Sequence, residues 1–196
     1  MKAAKSQTML PVAGTDMLLP VTELTGEKKG ETITLSAGVH SREYAGVQAL
    51  TELAQELDPR QVLGTIRLLH CCNYEGFLRR SADVVPQDGK NLNREFPGNP
   101  GGTPAQRLAA FLEQEFIERT DYLVDFHSGG FCEGLTPHLY FHGTAAPEVR
   151  AVSRRMAELT TVPYLVESSA ENGFYSWGGE RGVPGILVER GGCGLG

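Results

Sequence analysis

His40 and Glu43 stand at i and i+3 in SAGVHSREYAG (residues 36–46), where an apolar, strand-like run breaks at small residues. On a turn that leads into a helix, two such side chains can point to one side. Imidazole nitrogen and carboxylate oxygen are donors that zinc accepts. A catalytic zinc keeps three protein ligands and leaves its fourth position to water. A third ligand must then come from elsewhere in the chain. His127, near the end of DYLVDFHSGG, is the candidate, and Asp125 two residues earlier shares its face of the strand, where it could orient the ring. The three donors must approach within ~5 Å of one another for the site to exist.

The competing clusters are weaker. His70, Cys71 and Cys72 are consecutive on a strand-like run and cannot all turn toward one ion. His138 and His142 share a strand face but stand about 13 Å apart. A serine hydrolase is excluded, because no G-x-S-x-G occurs and Ser128 in HSGG lacks the strand–elbow–helix setting.

The elements that would position these residues follow from periodicity. Residues 17–25 and 31–37 read as two strands, with GEKKG between them carrying hairpin-turn glycines. From Tyr44 the period becomes helical until Asp58-Pro59. GTIRLLHCC (64–72) reads as a strand, and Asn73–Pro104 as a long irregular stretch rich in Gly, Pro, Asn and Arg. A loop of that length in a compact domain tends to be functional or disordered, and LRRSAD (78–83) with NLNREF (91–96) makes this one chemical. Thr103 as N-cap and Pro104 at the first helical position start a helix expected to run through Arg119. Strands follow at 121–130, 138–143, 162–168 and 183–192, with an amphipathic helix at 146–160.

Strands alternating with helices, and strands apolar throughout, predict an α/β fold: a mixed, mostly parallel sheet flanked by helices on both faces. No repeat or linker divides residues 1–196, so one domain is expected. Ligands in such sheets bind outside the carboxyl ends of the strands. His40, Asn73, His127 and Glu189 all fall at or just past predicted strand ends.

The totals bound the rest. Lys and Arg number 18 against 24 Asp and Glu, for a net charge of −6, which argues against a nucleic-acid partner. No run reaches the ~20 apolar residues of a membrane span. The N-terminus is broken by Gln7, Pro11 and Asp16 before any apolar signal core develops. Cys71, Cys72, Cys132 and Cys193 form no C-x-x-C pair and read as reduced core thiols of a cytoplasmic protein. Nothing in the sequence fixes the oligomeric state.

GVHSREYAG, GKNLNREFPG, DFHSGG and ILVERGG, in that order, resemble the zinc carboxypeptidase-like superfamily, and most closely its succinylglutamate desuccinylase/aspartoacylase branch. The likeness runs from about residue 31 to the end. It implies His40, Glu43 and His127 as ligands of one Zn²⁺ and Glu189 as the carboxylate that activates the zinc-bound water. It implies Asn93 and Arg94 as the grip on a substrate carboxylate, a role suited to the planar guanidinium fork. Arg80 best matches the arginine that polarises the scissile carbonyl, with Arg79 the alternative. Tyr175 lies near the position of the assisting tyrosine of peptidase members, but its surroundings match poorly and it is left unassigned. The implied substrate is a small N-acyl amino acid or a short peptide with a free carboxylate, so deacylase and metallocarboxypeptidase both stay open. A module that binds carboxylates without turnover is the rival of another class. Only RGGCGLG follows Glu189, so the C-terminal helix and β-rich domain usual in the family are expected to be lacking.

Overall fold

The chain alternates strands and helices because apolar runs of strand length are separated by segments with helical period. A computed structural model describes residues 2–193. Its first strands are β1 (Ala4–Pro11), β2 (Leu18–Thr25), β3 (Lys28–Ala37) and β4 (Leu63–Leu69), with helix α1 (Tyr44–Glu56) before β4. Helix α2 (Tyr74–Arg79), a hairpin of β5 (Val84–Val85) and β6 (Lys90–Asn91), and helix α3 (Pro104–Leu112) follow. The second half holds β7 (Tyr122–His127), β8 (His138–His142), α4 (Pro147–Glu158), β9 (Tyr164–Ser168), α5 (Phe174–Glu180) and β10 (Gly185–Glu189).

Eight strands form one sheet in the order β1-β2-β4-β3-β7-β10-β8-β9. The centre, β4-β3-β7-β10, is parallel, and β9 is parallel to β8. β1, β2 and β8 join antiparallel neighbours. The predicted mixed, mostly parallel sheet is therefore present.

Alternation along β7 assigns the two faces. On one side Phe126 packs with Leu50 and Ala54 of α1, and Val124 and Phe126 pack with Ala157 of α4. Leu123 packs with Leu108 and Leu112 of α3 and Phe174 of α5 on the other. Burying each such Leu or Phe stabilises the fold by roughly 1.5–3 kcal/mol. Asp125 and His127 share Leu123's face, so they project toward the α3–α5 side.

Four expectations need correction. β2 and β3 are not a hairpin, because β4 lies between them. The glycines of GEKKG instead admit the start of β4: a Cβ on Gly26 would sit 1.9 Å from the Val62 carbonyl oxygen. The strand at 64–72 stops at Leu69, and the chain then turns. The helix from Pro104 opens after Leu112 into a π-helical turn over Glu113–Ile117. That turn offers the Glu115 carbonyl to the Arg67 guanidinium, which also lies 4.6 Å from the centre of the Phe116 ring. Finally, all four cysteines are free, but only Cys71 and Cys72 are buried; Cys132 and Cys193 are exposed.

Candidate metal centre

The chain leaves β3 through Gly38 in a left-handed conformation (φ +65°), pressed against Cys71 so closely that a Cβ would meet its Sγ at 2.6 Å. Backbone bonds from Cys72 N–H to the Ala37 carbonyl and from Asn73 N–H to the Gly38 carbonyl tie this exit to the end of β4. The next turn, closed by Glu43 N–H on the His40 carbonyl at 3.1 Å, brings both side chains to the sheet's carboxyl edge. Ser41 Oγ donates to the Ala82 carbonyl, and Arg42 pairs with Asp83 at 2.8 Å and Glu133 at 3.3 Å, so the turn is anchored on two sides.

His127 ends β7 and meets this turn from the adjacent strand. Its Nδ1 lies 2.8 Å from Glu43 Oε2, while His40 Nδ1 lies 2.8 Å from Glu43 Oε1. The two imidazole centroids are 5.2 Å apart. One donor atom from each of His40, Glu43 and His127 lies within 4.8 Å of the other two, inside the distance a shared ion requires. The far side of the His127 ring is held as expected: Nε2 faces Asp125 Oδ2 at 3.1 Å, and Asp125 Oδ1 accepts from Ser36 Oγ at 2.7 Å.

The electrostatics fit a cation. Burial opposes ionisation of Glu43, yet its hydrogen bonds and attraction to His127 and His40 outweigh burial and pull the carboxyl down to about 2. Burial likewise disfavours a charged His127, but Asp125 and Glu43 overcome it and hold the imidazolium well above its ordinary range. Two carboxylates around one buried imidazole thus demand positive charge at this point. Two nitrogens and a carboxylate are a donor set that zinc satisfies.

Glu189 ends β10 in direct register with His127, on the neighbouring strand. Burial is the main cause raising its pKa, with Glu43 adding to the rise and His127 and His138 opposing it. His40, His127 and Glu189 open into a cleft of about 880 Å³ that Asn93, Arg94 and Tyr175 also line.

A match to the succinylglutamate desuccinylase/aspartoacylase catalytic domain spans residues 29–195. The chain belongs to this family. An N-alpha-acetyl-L-2,4-diaminobutyric acid deacetylase of Halomonas elongata is 30% identical over 183 residues, covering 91% of this chain and 52% of that protein. The chain therefore spans about half the length of that curated relative. A succinylglutamate desuccinylase/aspartoacylase from Rhodobacter sphaeroides superposes with a TM-score of 0.82 at 31% identity, covering 100% of this chain and 59% of the other. The product-bound ectoine utilization protein EutE (DoeB) from Ruegeria pomeroyi gives 0.84 at 29% identity, covering 99% and 61%.

Within this desuccinylase/aspartoacylase frame the remaining expected residues divide. Asn93 is buried, and its Oδ1 accepts from the Phe174 N–H at 3.0 Å, which leaves its NH₂ as the group available to the cleft. Arg94 is exposed beside it, braced by a 2.7 Å bond from its guanidinium to the Asn93 carbonyl, and meets no carboxylate among the described residues. Arg80 is elsewhere. It caps α2 in a left-handed conformation (φ 54°), and its side chain lines a separate, more apolar groove with Tyr44, Phe77 and Phe131. Arg79 forms an exposed i,i+4 pair with Glu75. Asn73, although at a strand end, spends its amide on the Gly76 N–H and the Val84 carbonyl, holding α2 rather than a ligand. Sequence reasoning missed Ser36, which no motif marks, and left Tyr175 unassigned although it lines the cleft.

Proposed function

We propose that the chain is the catalytic domain of a zinc-dependent deacylase that hydrolyses the amide of a small N-acyl amino acid. The observation that carries this reading is the convergence of His40, Glu43 and His127 donors within 4.8 Å, beside a second carboxylate on the adjacent strand. Zinc bound there would polarise the acyl carbonyl and acidify a water molecule. Glu189, whose pKa burial raises, takes the proton of the attacking water and returns it to the departing amine nitrogen. The carbon–oxygen bond formed and the carbon–nitrogen bond broken leave a carboxylic acid and a free amino acid. Asn93 and Arg94 hold the substrate's carboxylate and orient its amide toward Glu189. The name of the Halomonas relative supports an acylated amino acid with a free carboxylate as substrate. Arg80 has no part in this proposal, because its side chain lines the other groove.

The test is metal content together with hydrolysis of N-acetyl and N-succinyl amino acids, with and without chelator, for the wild type and His127→Ala. The expected result is about one zinc per wild-type chain, little in the variant, and turnover that chelation abolishes. Equal zinc in both proteins would refute the assignment of the ligands.

A further inference from the structure

The two histidines of the candidate metal centre are held unequally. His40 Nε2 is buried and has no hydrogen-bond partner among the described residues, so that ring is fixed through Nδ1 on Glu43. His127 is held on both sides, by Glu43 at Nδ1 and by Asp125 at Nε2. The aim of the His127 ring therefore depends on Asp125, which is fully buried. A buried carboxylate needs a donor for each oxygen, because an unpaired one keeps its full desolvation cost. Asp125 Oδ2 has His127, and Oδ1 has Ser36, whose Oγ donates to it at 2.7 Å. Ser36 and Asp125 are register partners on the parallel strands β3 and β7, so hydroxyl and carboxylate leave the same face of the sheet side by side. The other acceptor near Ser36 Oγ, the Val124 carbonyl, stands at 3.5 Å and competes poorly. Ser36 is itself fully buried, so water does not stand in for it.

We propose that Ser36 is a positioning residue for the metal centre: it fixes the Asp125 carboxylate, which in turn fixes the His127 ring with Nδ1 turned toward the ion. This rests on the zinc-deacylase reading above. Partners behind a metal-bound histidine set its ring orientation and so the affinity for the metal. Without the Ser36 hydroxyl, Asp125 Oδ1 is left unpaired in the core. The carboxylate then gains by turning toward another donor, and the His127 ring loses its alignment. Thr34 supplies an internal control. It lies two residues earlier on the same strand and face, is equally buried, and its hydroxyl bonds nothing among the described residues. Removing that hydroxyl disturbs the same part of the core without touching Asp125.

The experiment measures zinc affinity of wild type, Ser36→Ala and Thr34→Val by competition with a chromophoric chelator, at a temperature where thermal melts show all three folded. The cobalt-substituted proteins are compared by visible absorption, which reports ligand geometry and is insensitive to a loss of core packing alone. Ser36→Ala is expected to bind zinc about tenfold more weakly and to shift the cobalt bands. Thr34→Val is expected to stay within about twofold of wild type, with its bands unchanged. Wild-type affinity and bands in Ser36→Ala, or an equal loss in Thr34→Val, would overturn the proposal. If wild type holds no more zinc than His127→Ala, the metal reading fails and this proposal with it. If zinc-loaded wild type hydrolyses no N-acyl amino acid, only the deacylase reading fails, and the affinities still decide the role of Ser36.

Discussion

The proposed reacting end of the cleft and the wall that carries Arg94 differ in how their side chains are satisfied. At the reacting end, Ser36, Asp125, His127, Glu43 and His40 form an unbroken chain of contacts between 2.7 and 3.1 Å. On the wall, Arg94 meets no carboxylate among the described residues, its guanidinium bonding only the Asn93 carbonyl. Groups that must hold a reacting centre in one geometry gain from mutual restraint. Groups that recognise a ligand gain from being left unsatisfied until the ligand arrives, since pairing within the protein would compete with binding.

The largest test of that contrast is Glu189→Gln. The substitution keeps shape and hydrogen bonding but removes the proton acceptor, so kcat should fall by ~10²–10⁴ while zinc content and substrate affinity change little. Steady-state kinetics with metal analysis reads both. A loss of zinc along with turnover would show that Glu189 belongs to the restrained chain and has no separate chemical role. On the wall, Arg94→Ala should behave in the opposite sense. Losing a charge-assisted hydrogen bond of about 1.5–3 kcal/mol should raise KM for substrates with a free carboxylate by ~10–100-fold and leave kcat nearer the wild-type value. A normal KM would remove Arg94 from the wall.

The same contrast governs what could be read from sequence. The clustering of His40, Glu43 and His127 was legible because these residues sit at the ends of apolar strands, and strand order carried His127 to the edge where His40 and Glu43 turn. The parallel centre was legible for the same reason, being buried on both faces. β1 was not, since almost all of its residues are exposed and an edge strand without a buried face shows no apolar period. α5 was hidden because two glycines interrupt a short helix, although Gly179 is needed there: a Cβ would lie 2.5 Å from His142. The place of Arg80 was not legible, because motif spacing cannot reveal that it caps α2 in a left-handed conformation and lines the other groove. The Tyr175 hydroxyl, buried without a hydrogen-bond partner, carries no sequence signal at all.

The smallest expected effect lies directly beneath the wall, at His142. Burial lowers its pKa to about 4, only partly offset by its hydrogen bond to the Val183 backbone. The folded protein therefore keeps this imidazole neutral, while the unfolded chain takes up a proton near the ordinary histidine value of about 6.5. Its contribution to stability is complete above that unfolded value and is lost as pH falls from about 6.5 toward about 4, because only the unfolded state gains the proton in this window. At most about 3 kcal/mol is at stake, so the melting temperature should decline across that range. His142→Phe keeps an aromatic surface for Tyr175 and removes the titration, and should flatten the decline between pH 6.5 and 4 whatever it does to stability at neutral pH. Carboxylates such as Glu43, held at about 2, lose their contribution mainly below the ordinary carboxylate range and so persist in the variant. If thermal melts of the two proteins fell in parallel across the window, the support beneath Tyr175 would be hydrated enough to protonate in place, and the wall would be softer than its stacked rings imply.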